Sequence, residues 1–284
     1  MAELRALRSQ LERTFAEAGV PDAAVDPELL LAHVLGISRG ELQSRMVLGE
    51  SLPDSLQPRL DELVTRRAAR EPLQHLTGIA PFRSLELQIG PGAFVPRPET
   101  ELVAQYAIDA LAAVAGPSPI GVDLGTGSGA IALALATEVP HARIYAVERS
   151  PEAHAWAARN IAALAPQVTL VLGDLAEALA ELDGTVDVVI SNPPYIPDDA
   201  VPVYPEVHLH DPPAALYGGA DGLDAVRAVA ATAHRLLRSG GTLVIEHGEA
   251  QAAAIAQLLT ASGFTAIATH RDLTGRDRAT TALR

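Results

Sequence analysis

Asn192-Pro193-Pro194-Tyr195 follows the apolar, β-branched run Val188-Val189-Ile190-Ser191. Such a run reads as a buried strand, and the two prolines, having no N–H, cannot continue a ladder. The strand is expected to stop at Asn192 and leave a stiff turn carrying an amide, backbone carbonyls and an aromatic ring. That set suits a planar –NH2 group, with two acceptors for its two hydrogens and a ring face against its plane. Taken alone, the same residues also fit a structural proline turn with Tyr195 as packing. A second stretch, Gly125-Thr126-Gly127-Ser128-Gly129, lies between the strand candidate 120–124 and the helical run 130–136. Strand, glycine turn and helix place backbone N–H groups and a helix N-terminus at the carboxyl end of a parallel sheet, where nucleotide-like ligands bind. Because Ala130 can stand for the third glycine, the pattern also satisfies a dinucleotide site.

Other candidates sit at strand ends. Glu148 closes the strand candidate 143–148 about 20 residues after the glycines, the separation at which a carboxylate reaches ribose hydroxyls. Asp174, after the candidate 168–172, is placed to accept from an exocyclic adenine amine, with an ordinary turn Asp as the rival reading. Arg97 is held extended between Pro96 and Pro98 and reads either as a linker surface residue or as a donor near a bound ligand. His208, His210 and Asp211 superficially resemble metal ligands, but they lie in a proline-rich loop without a second cluster, so no metal is expected.

The elements that must position these residues divide the chain. Residues 1 to about 75 read as short helices: Leu4, Leu7 and Leu11 recur at helical spacing, and 27–35 restarts the pattern with Asp26 as N-cap and Gly36 as stop. Further helices are expected from near Ser38 and from about Ser55 to Arg70. The stretches 72–78 and 82–89 suggest extended segments, and a helix follows from about 100 to 114. Beyond it, strands at 120–124, 143–148, 168–172, 188–192 and 241–247 alternate with helices, 151–164 among them with Trp156 as core, and a final antiparallel pair is expected near 265–270 and 280–283. This is a doubly wound α/β sheet. Domain boundaries are expected at 1–74 for the helical bundle, 75–98 for a linker with a short β-hairpin, and 99–284 for the α/β domain. The proline-rich connection 196–224 has the length of a functional loop and is a candidate wall or lid beside Tyr195.

Composition narrows the class. With 284 residues, 48% of them hydrophobic, the chain can bury a sizeable core. It has no Cys, which removes disulfides, thiolate metal sites and a Cys nucleophile together. Its 21 basic residues are all Arg against 35 acids, a formal charge of -14, and the sole basic cluster is Arg66-Arg67-Ala68-Ala69-Arg70. A nucleic-acid binder normally presents a basic face, so direct binding of nucleic acid is not expected. No apolar stretch approaches the ~20 residues of a membrane span, and residues 1–13 lack the continuous apolar segment of a secretion signal. A cytoplasmic protein, not attached to a membrane, is expected.

The glycine turn after Asp123, the acid ending the second strand, Asp174 after the third and Asn-Pro-Pro-Tyr after the fourth resemble S-adenosylmethionine-dependent methyltransferases that modify planar nitrogens. Glu71-Pro72-Leu73-Gln74-His75-Leu76-Thr77-Gly78, Val95-Pro96-Arg97-Pro98-Glu99-Thr100-Glu101, Glu246-His247-Gly248 and Asp272-Leu273-Thr274-Gly275-Arg276-Asp277-Arg278, with the N-terminal helices, resemble the release factor glutamine methyltransferase (PrmC/HemK) family along essentially the whole chain. The resemblance implies a seven-stranded Rossmann-like domain, S-adenosyl-L-methionine as cofactor and methylation of the glutamine side-chain amide nitrogen (N5) in the Gly-Gly-Gln motif of class-1 peptide chain release factors, which modulates translation termination. It implies that Gly125, Thr126, Gly127, Ser128 and Gly129 line the methionine part of the cofactor, that Glu148 holds its ribose, and that Asp174 and Leu175 lie beside adenine. Asn192, Pro193, Pro194 and Tyr195 would bind the glutamine, with Asn192, Pro193 and Tyr195 serving the reaction, Asn192 also bordering the cofactor, and Arg97 a substrate contact. The helical module would help dock the release factor, and a monomer is expected. An adenine-N6 methyltransferase of nucleic acid uses a similar strand-four motif. An NAD-dependent dehydrogenase would use the glycines but gives Asn192 to Tyr195 no task, and a non-catalytic adaptor would need none of these residues.

Overall fold

The structure, a computed structural model, describes residues 3–284. Met1 and Ala2, part of the stretch read for a secretion signal, lie outside them. In chain order the helices and strands are α1 (Leu4–Glu17), α2 (Asp26–Leu35), α3 (Arg39–Val47), α4 (Gln57–Ala68), α5 (Leu73–Thr77), β1 (Ile79–Phe82), β2 (Leu85–Gln88), α6 (Pro98–Ala112), β3 (Ile120–Leu124), α7 (Ala130–Glu138), β4 (Arg143–Glu148) and α8 (Pro151–Leu164). There follow β5 (Thr169–Leu172), β6 (Val186–Ser191), α9 (Pro205–His210), α10 (Pro213–Leu216), α11 (Asp224–Leu236), β7 (Leu237–Glu246), α12 (Ala252–Ala261), β8 (Thr265–Arg271) and β9 (Asp277–Leu283). They form two compact units, one of residues up to Ile79 together with Val203–His210, the other of Ala80–Pro202 and Asp211–Arg284.

In the first unit, Leu4, Leu7, Leu11 and Phe15 form the buried stripe of α1, and they meet Leu30, Leu31, Leu42, Leu60 and Leu63 in one core. Ser38 caps α3 by accepting from the Glu41 N–H at 3.2 Å, and Gly36 ends α2 in the left-handed region at φ +65. Asp26 does not cap α2. It is buried inside the first turn, where its carboxylate accepts from Arg67 Nε at 2.7 Å. Arg67 and Arg70 both donate to Glu206 of α9, and Arg66 to Glu71. The basic cluster of the sequence is thus neutralised by acids of its own unit. Residues 73–77, expected to be extended, are the helix α5, because Leu73 and Leu76 at helical spacing complete the core between Pro72 and the left-handed Gly78.

In the second unit, β1 and β2 form a separate hairpin, and seven strands form one sheet in the order β5-β4-β3-β6-β7-β9-β8. Strands β3 to β7 run parallel, and β9 runs antiparallel to both β7 and β8. All six residues of β6 are buried and seven successive residues of α7 are buried, the all-round apolar pattern of elements covered on both sides. The sheet separates two cores, one of α6, α7 and α8 residues and the other of α11 and α12 residues. Trp156, expected in the core, is half-buried, donates to the Pro91 carbonyl at 3.2 Å, and lies so close to Gly90 that a Cβ there would sit 2.6 Å from its ring. The connection 196–224 carries structure of its own: α9 joins the first unit, and α10 belongs to the second.

Candidate active site

Strand order reverses between β3 and β6, and in an open parallel sheet the crevice at such a switch, beyond the carboxyl ends, is where ligands bind. Both motifs lie on its rim. The glycine turn follows β3, and Asn192 follows β6. Ser191 fixes their spacing, since its hydroxyl donates to the Leu124 carbonyl at 2.6 Å.

The glycine turn is closed on the protein itself. Gly125 and Thr126 donate to the Val147 carbonyl at 2.9 and 3.0 Å, and Gly127 donates to Glu148 Oε2 at 2.8 Å. Glu148 Oε1 accepts from the Ser150 N–H at 2.8 Å. Asp123 is fully buried below the turn, where burial pushes its carboxyl up to about 7 against the hydrogen bonds from Thr126 Oγ1 and the Ala132 N–H. Gly125 and Gly127 stand at φ +79 and +60, and a Cβ on either would meet nothing within 4 Å, so the outer face of the turn is open. A pyrophosphate needs N–H groups and a positive field there. What the turn presents is a carboxylate, which still has lone pairs for ribose hydroxyls. These donors and acceptors fit the ribose of an adenosyl group.

The remaining positions read from the sequence divide. Gly173 donates to the Glu148 carbonyl at 2.9 Å, which ties the end of β5 to that of β4. Asp174 is exposed and accepts from the Ala176 N–H, while Leu175 is half-buried against the α11-side core. Arg97 lies over the Phe94 ring and pairs with the buried Asp211, whose carboxyl burial raises to about 6 despite that cation. Arg97 and Asn192 are thus not joined by any direct hydrogen bond, although Arg97 acts electrostatically on Tyr195. Among the described residues no group of three or more His, Asp or Glu is arranged to hold a metal ion, and no helix is long and apolar enough to cross a membrane.

At the proline turn Asn192 is half-buried, its Nδ2 3.4 Å from Thr100 Oγ1. Burial, and then the Glu246 charge, push the Tyr195 phenol above its ordinary value, so it stays neutral. Gln251 Nε2 donates to the Tyr195 carbonyl at 2.9 Å. The second half of the long loop backs the turn: Ile196 donates to the Leu216 carbonyl and Gly218 to the Ile196 carbonyl. A Cβ on Gly218 would lie 2.6 Å from the Pro194 oxygen, and one on Gly222 2.3 Å from the Tyr195 oxygen. Thr100, Glu246, Gly218 and Gly222 were not singled out as site residues from the sequence. The runs Glu246-His247-Gly248 and Val95 to Glu101 flagged the neighbourhood of the first two, and the candidate wall 196–224 contains both glycines.

A Rossmann-like sheet whose switch crevice carries a glycine turn closed on an acid, facing a proline turn that ends in an acceptor, is the architecture of an S-adenosylmethionine-dependent methyltransferase. The family model described as the methyltransferase small domain matches residues 108–204. The crystal structure of a methyltransferase from Pyrococcus furiosus superposes with a TM-score of 0.51 at 20% identity, over 80% of this chain and 98% of that one, a likeness of fold. Residues 6–78 match the model of the PrmC N-terminal domain. The release factor glutamine methyltransferase of Streptomyces coelicolor is 50% identical over 277 residues, 96% of this chain and 95% of its own. A 4-amino-L-phenylalanine/4-methylamino-L-phenylalanine methyltransferase of Streptomyces pristinaespiralis is 40% identical over 92% of this chain and 88% of its own length. The chain belongs to the release factor glutamine methyltransferase family.

Proposed function

We propose that this enzyme transfers a methyl group from S-adenosyl-L-methionine to the side-chain amide nitrogen of the glutamine in the Gly-Gly-Gln motif of class-1 peptide chain release factors. Family membership supports the substrate, and one local observation carries the chemistry: Asn192 stands on the crevice rim with its Nδ2 engaged by Thr100, which leaves Oδ1 as the acceptor for an incoming N–H. Gly125 to Gly129 and Glu148 are the residues that would hold the cofactor, with Asp174 and Leu175 at its adenine end. When bound, it supplies an electrophilic methyl group on a sulfonium.

The protein's task is to orient a weak nucleophile, because the amide lone pair is delocalised into its carbonyl. Asn192 Oδ1 and the Pro193 carbonyl each accept one amide N–H and turn the remaining lobe of the nitrogen towards the glycine turn. The positive charge that develops on nitrogen meets two fixed acceptor dipoles. Tyr195, neutral and held through its carbonyl by Gln251, packs against the amide plane. The nitrogen gains a carbon and loses a proton to water. The first unit, residues up to 79 with 203–210, docks the release factor, and the enzyme acts as a monomer in the cytoplasm without binding nucleic acid.

Labelled cofactor incubated with a release factor, its Gln-to-Ala motif variant, 4-amino-L-phenylalanine and duplex DNA tests the substrate. The arylamine belongs in the assay because it too offers a conjugated –NH2 to two acceptors. Label is expected in the intact release factor alone, and label in the Ala variant or in DNA overturns the reading. Asn192→Ala is expected to lower transfer by about a hundredfold or more, the scale of removing one preorganised dipole, with cofactor affinity unchanged by calorimetry.

A further inference from the structure

Glu246 ends β7 at 1% exposure, and nothing in the reaction described above uses it. A buried carboxylate is costly unless it is paired, so its surroundings are informative. The β6–β7 register, which pairs Ser191 with Ile245, sets Glu246 beside the proline turn, where Asn192 Nδ2 lies 3.4 Å from Thr100 Oγ1. Burial raises its carboxyl, reinforced by the Glu99 charge and opposed by hydrogen bonding from the Thr100 and Asn192 side chains and by the Arg278 charge. Oε2 has no hydrogen-bond partner. Arg278 is presented by the stretch 272–278: its Nε lies 3.5 Å from Asp272 Oδ2, and Asp272 accepts from the Thr274 and Arg276 N–H groups at 2.8 and 3.1 Å.

The direction of this chain of hydrogen bonds follows from what each group can donate. An ionised carboxylate only accepts, so a Thr100 O–H turned to Glu246 leaves its oxygen with lone pairs alone, and these face Asn192 Nδ2 at 3.4 Å. Asn192 can then meet Thr100 and Glu246 only with its NH2 end. We infer that Glu246, directly and through Thr100, fixes the side-chain amide of Asn192 with its oxygen towards the substrate, and so is a positioning residue for methyl transfer. Arg278 and the turn that carries it hold Glu246 in the acceptor state.

Protonation reverses the chain. A neutral Glu246 can donate to Thr100, Thr100 can then donate to Asn192 Oδ1, and the amide presents N–H groups to a substrate that also carries N–H groups. Burial raises the Glu246 carboxyl to about 7, opposed by the Thr100 hydrogen bond and the Arg278 charge and reinforced by Glu99. Transfer should therefore rise with pH through neutrality.

The kinetic test rests on the substrate proposed above; a spectroscopic one does not. Glu246→Gln and Thr100→Val are each expected to lower kcat by about ten- to hundredfold, the scale of a hydrogen bond to a charged group, with cofactor affinity unchanged. The ascending limb of the pH profile should vanish in Glu246→Gln. Because both residues act in one chain, the double variant should be no slower than the worse single one. Wild-type kcat and pH profile in Glu246→Gln, or fully additive losses, overturn the inference. If the wild type fails to methylate the release factor, the substrate reading falls, and the 15N-labelled Asn192 side-chain amide of the free enzyme still decides positioning. Its resonances should titrate near neutrality in the wild type and not in Glu246→Gln, and a pH-independent wild-type signal overturns the inference. Should Glu246→Gln fail to fold, Thr100→Val, which removes one hydroxyl, must shift the same resonances or the inference is lost.

Discussion

At the scale of single residues, the proposed reaction is a problem of presenting acceptors to an N–H rather than of acid–base power. Asn192 is neutral and Tyr195 is held neutral, so neither takes a proton, and orientation carries the catalysis. In the proposed reaction Tyr195 offers its ring rather than its hydroxyl. Tyr195→Phe is accordingly expected to keep transfer within about threefold, whereas Tyr195→Ala should lose about tenfold, the scale of one aromatic packing contact; steady-state rates at saturating cofactor check both. The Asn-Pro-Pro-Tyr turn and the glycine turn were legible because their chemistry lies in consecutive residues. Thr100 is 92 positions from Asn192, and only the folded chain shows that they meet. Asp26 misled for a related reason: a helix-start Asp is usually a cap, and here Arg67, distant in sequence, claims it.

At the scale of elements, the strand-end geometry is set by neighbours that sequence periodicity does not reveal. β3 and β6 were readable as apolar β-branched runs, but their adjacency and the Ser191 clamp on Leu124 belong to the sheet. The loop after Tyr195 carried proline and glycine signals without saying which glycines touch what. Gly222 faces the Tyr195 oxygen and Gly218 the Pro194 oxygen at distances no Cβ tolerates. Gly222→Ala, also strained at φ +73, should displace the proline turn. We expect a loss of about 1–3 kcal/mol in stability by denaturant titration together with loss of transfer, whereas Gly116→Ala, in open space and outside the left-handed region, should leave transfer intact. Residues 73–77 read as extended because proline and glycine flank them, and burial of Leu73 and Leu76 decided for a helix.

At the scale of the molecule, the charges of the two compact units behave differently. In the first, Glu206 and Asp26 close on Arg67, the Arg67 and Glu206 side chains being 5% and 11% exposed. Glu206→Ala leaves a buried cation short of its partner and is expected to cost this unit about 3 kcal/mol, measurable by thermal unfolding. In the second, Glu246 has a folded pKa near 7 against an ordinary 4.5. The folded state therefore keeps a proton that the unfolded chain has released, and the stability this group contributes at low pH is lost as pH rises from about 4.5 to 7. Glu246→Gln should gain stability relative to wild type across that window, while losing activity above it. On the inference drawn above, the acid that positions Asn192 is ionised for function at a cost to folding.

The most direct measurement is a crystal structure of the enzyme with S-adenosylhomocysteine and a glutamine-containing release-factor domain. The account predicts the adenosyl group over Gly125 to Gly129 with its ribose on Glu148, and the glutamine amide nitrogen about 3 Å from Asn192 Oδ1 and the Pro193 carbonyl. An adenosyl group bound away from the glycine turn, or a glutamine side chain that enters without touching Asn192, would contradict it.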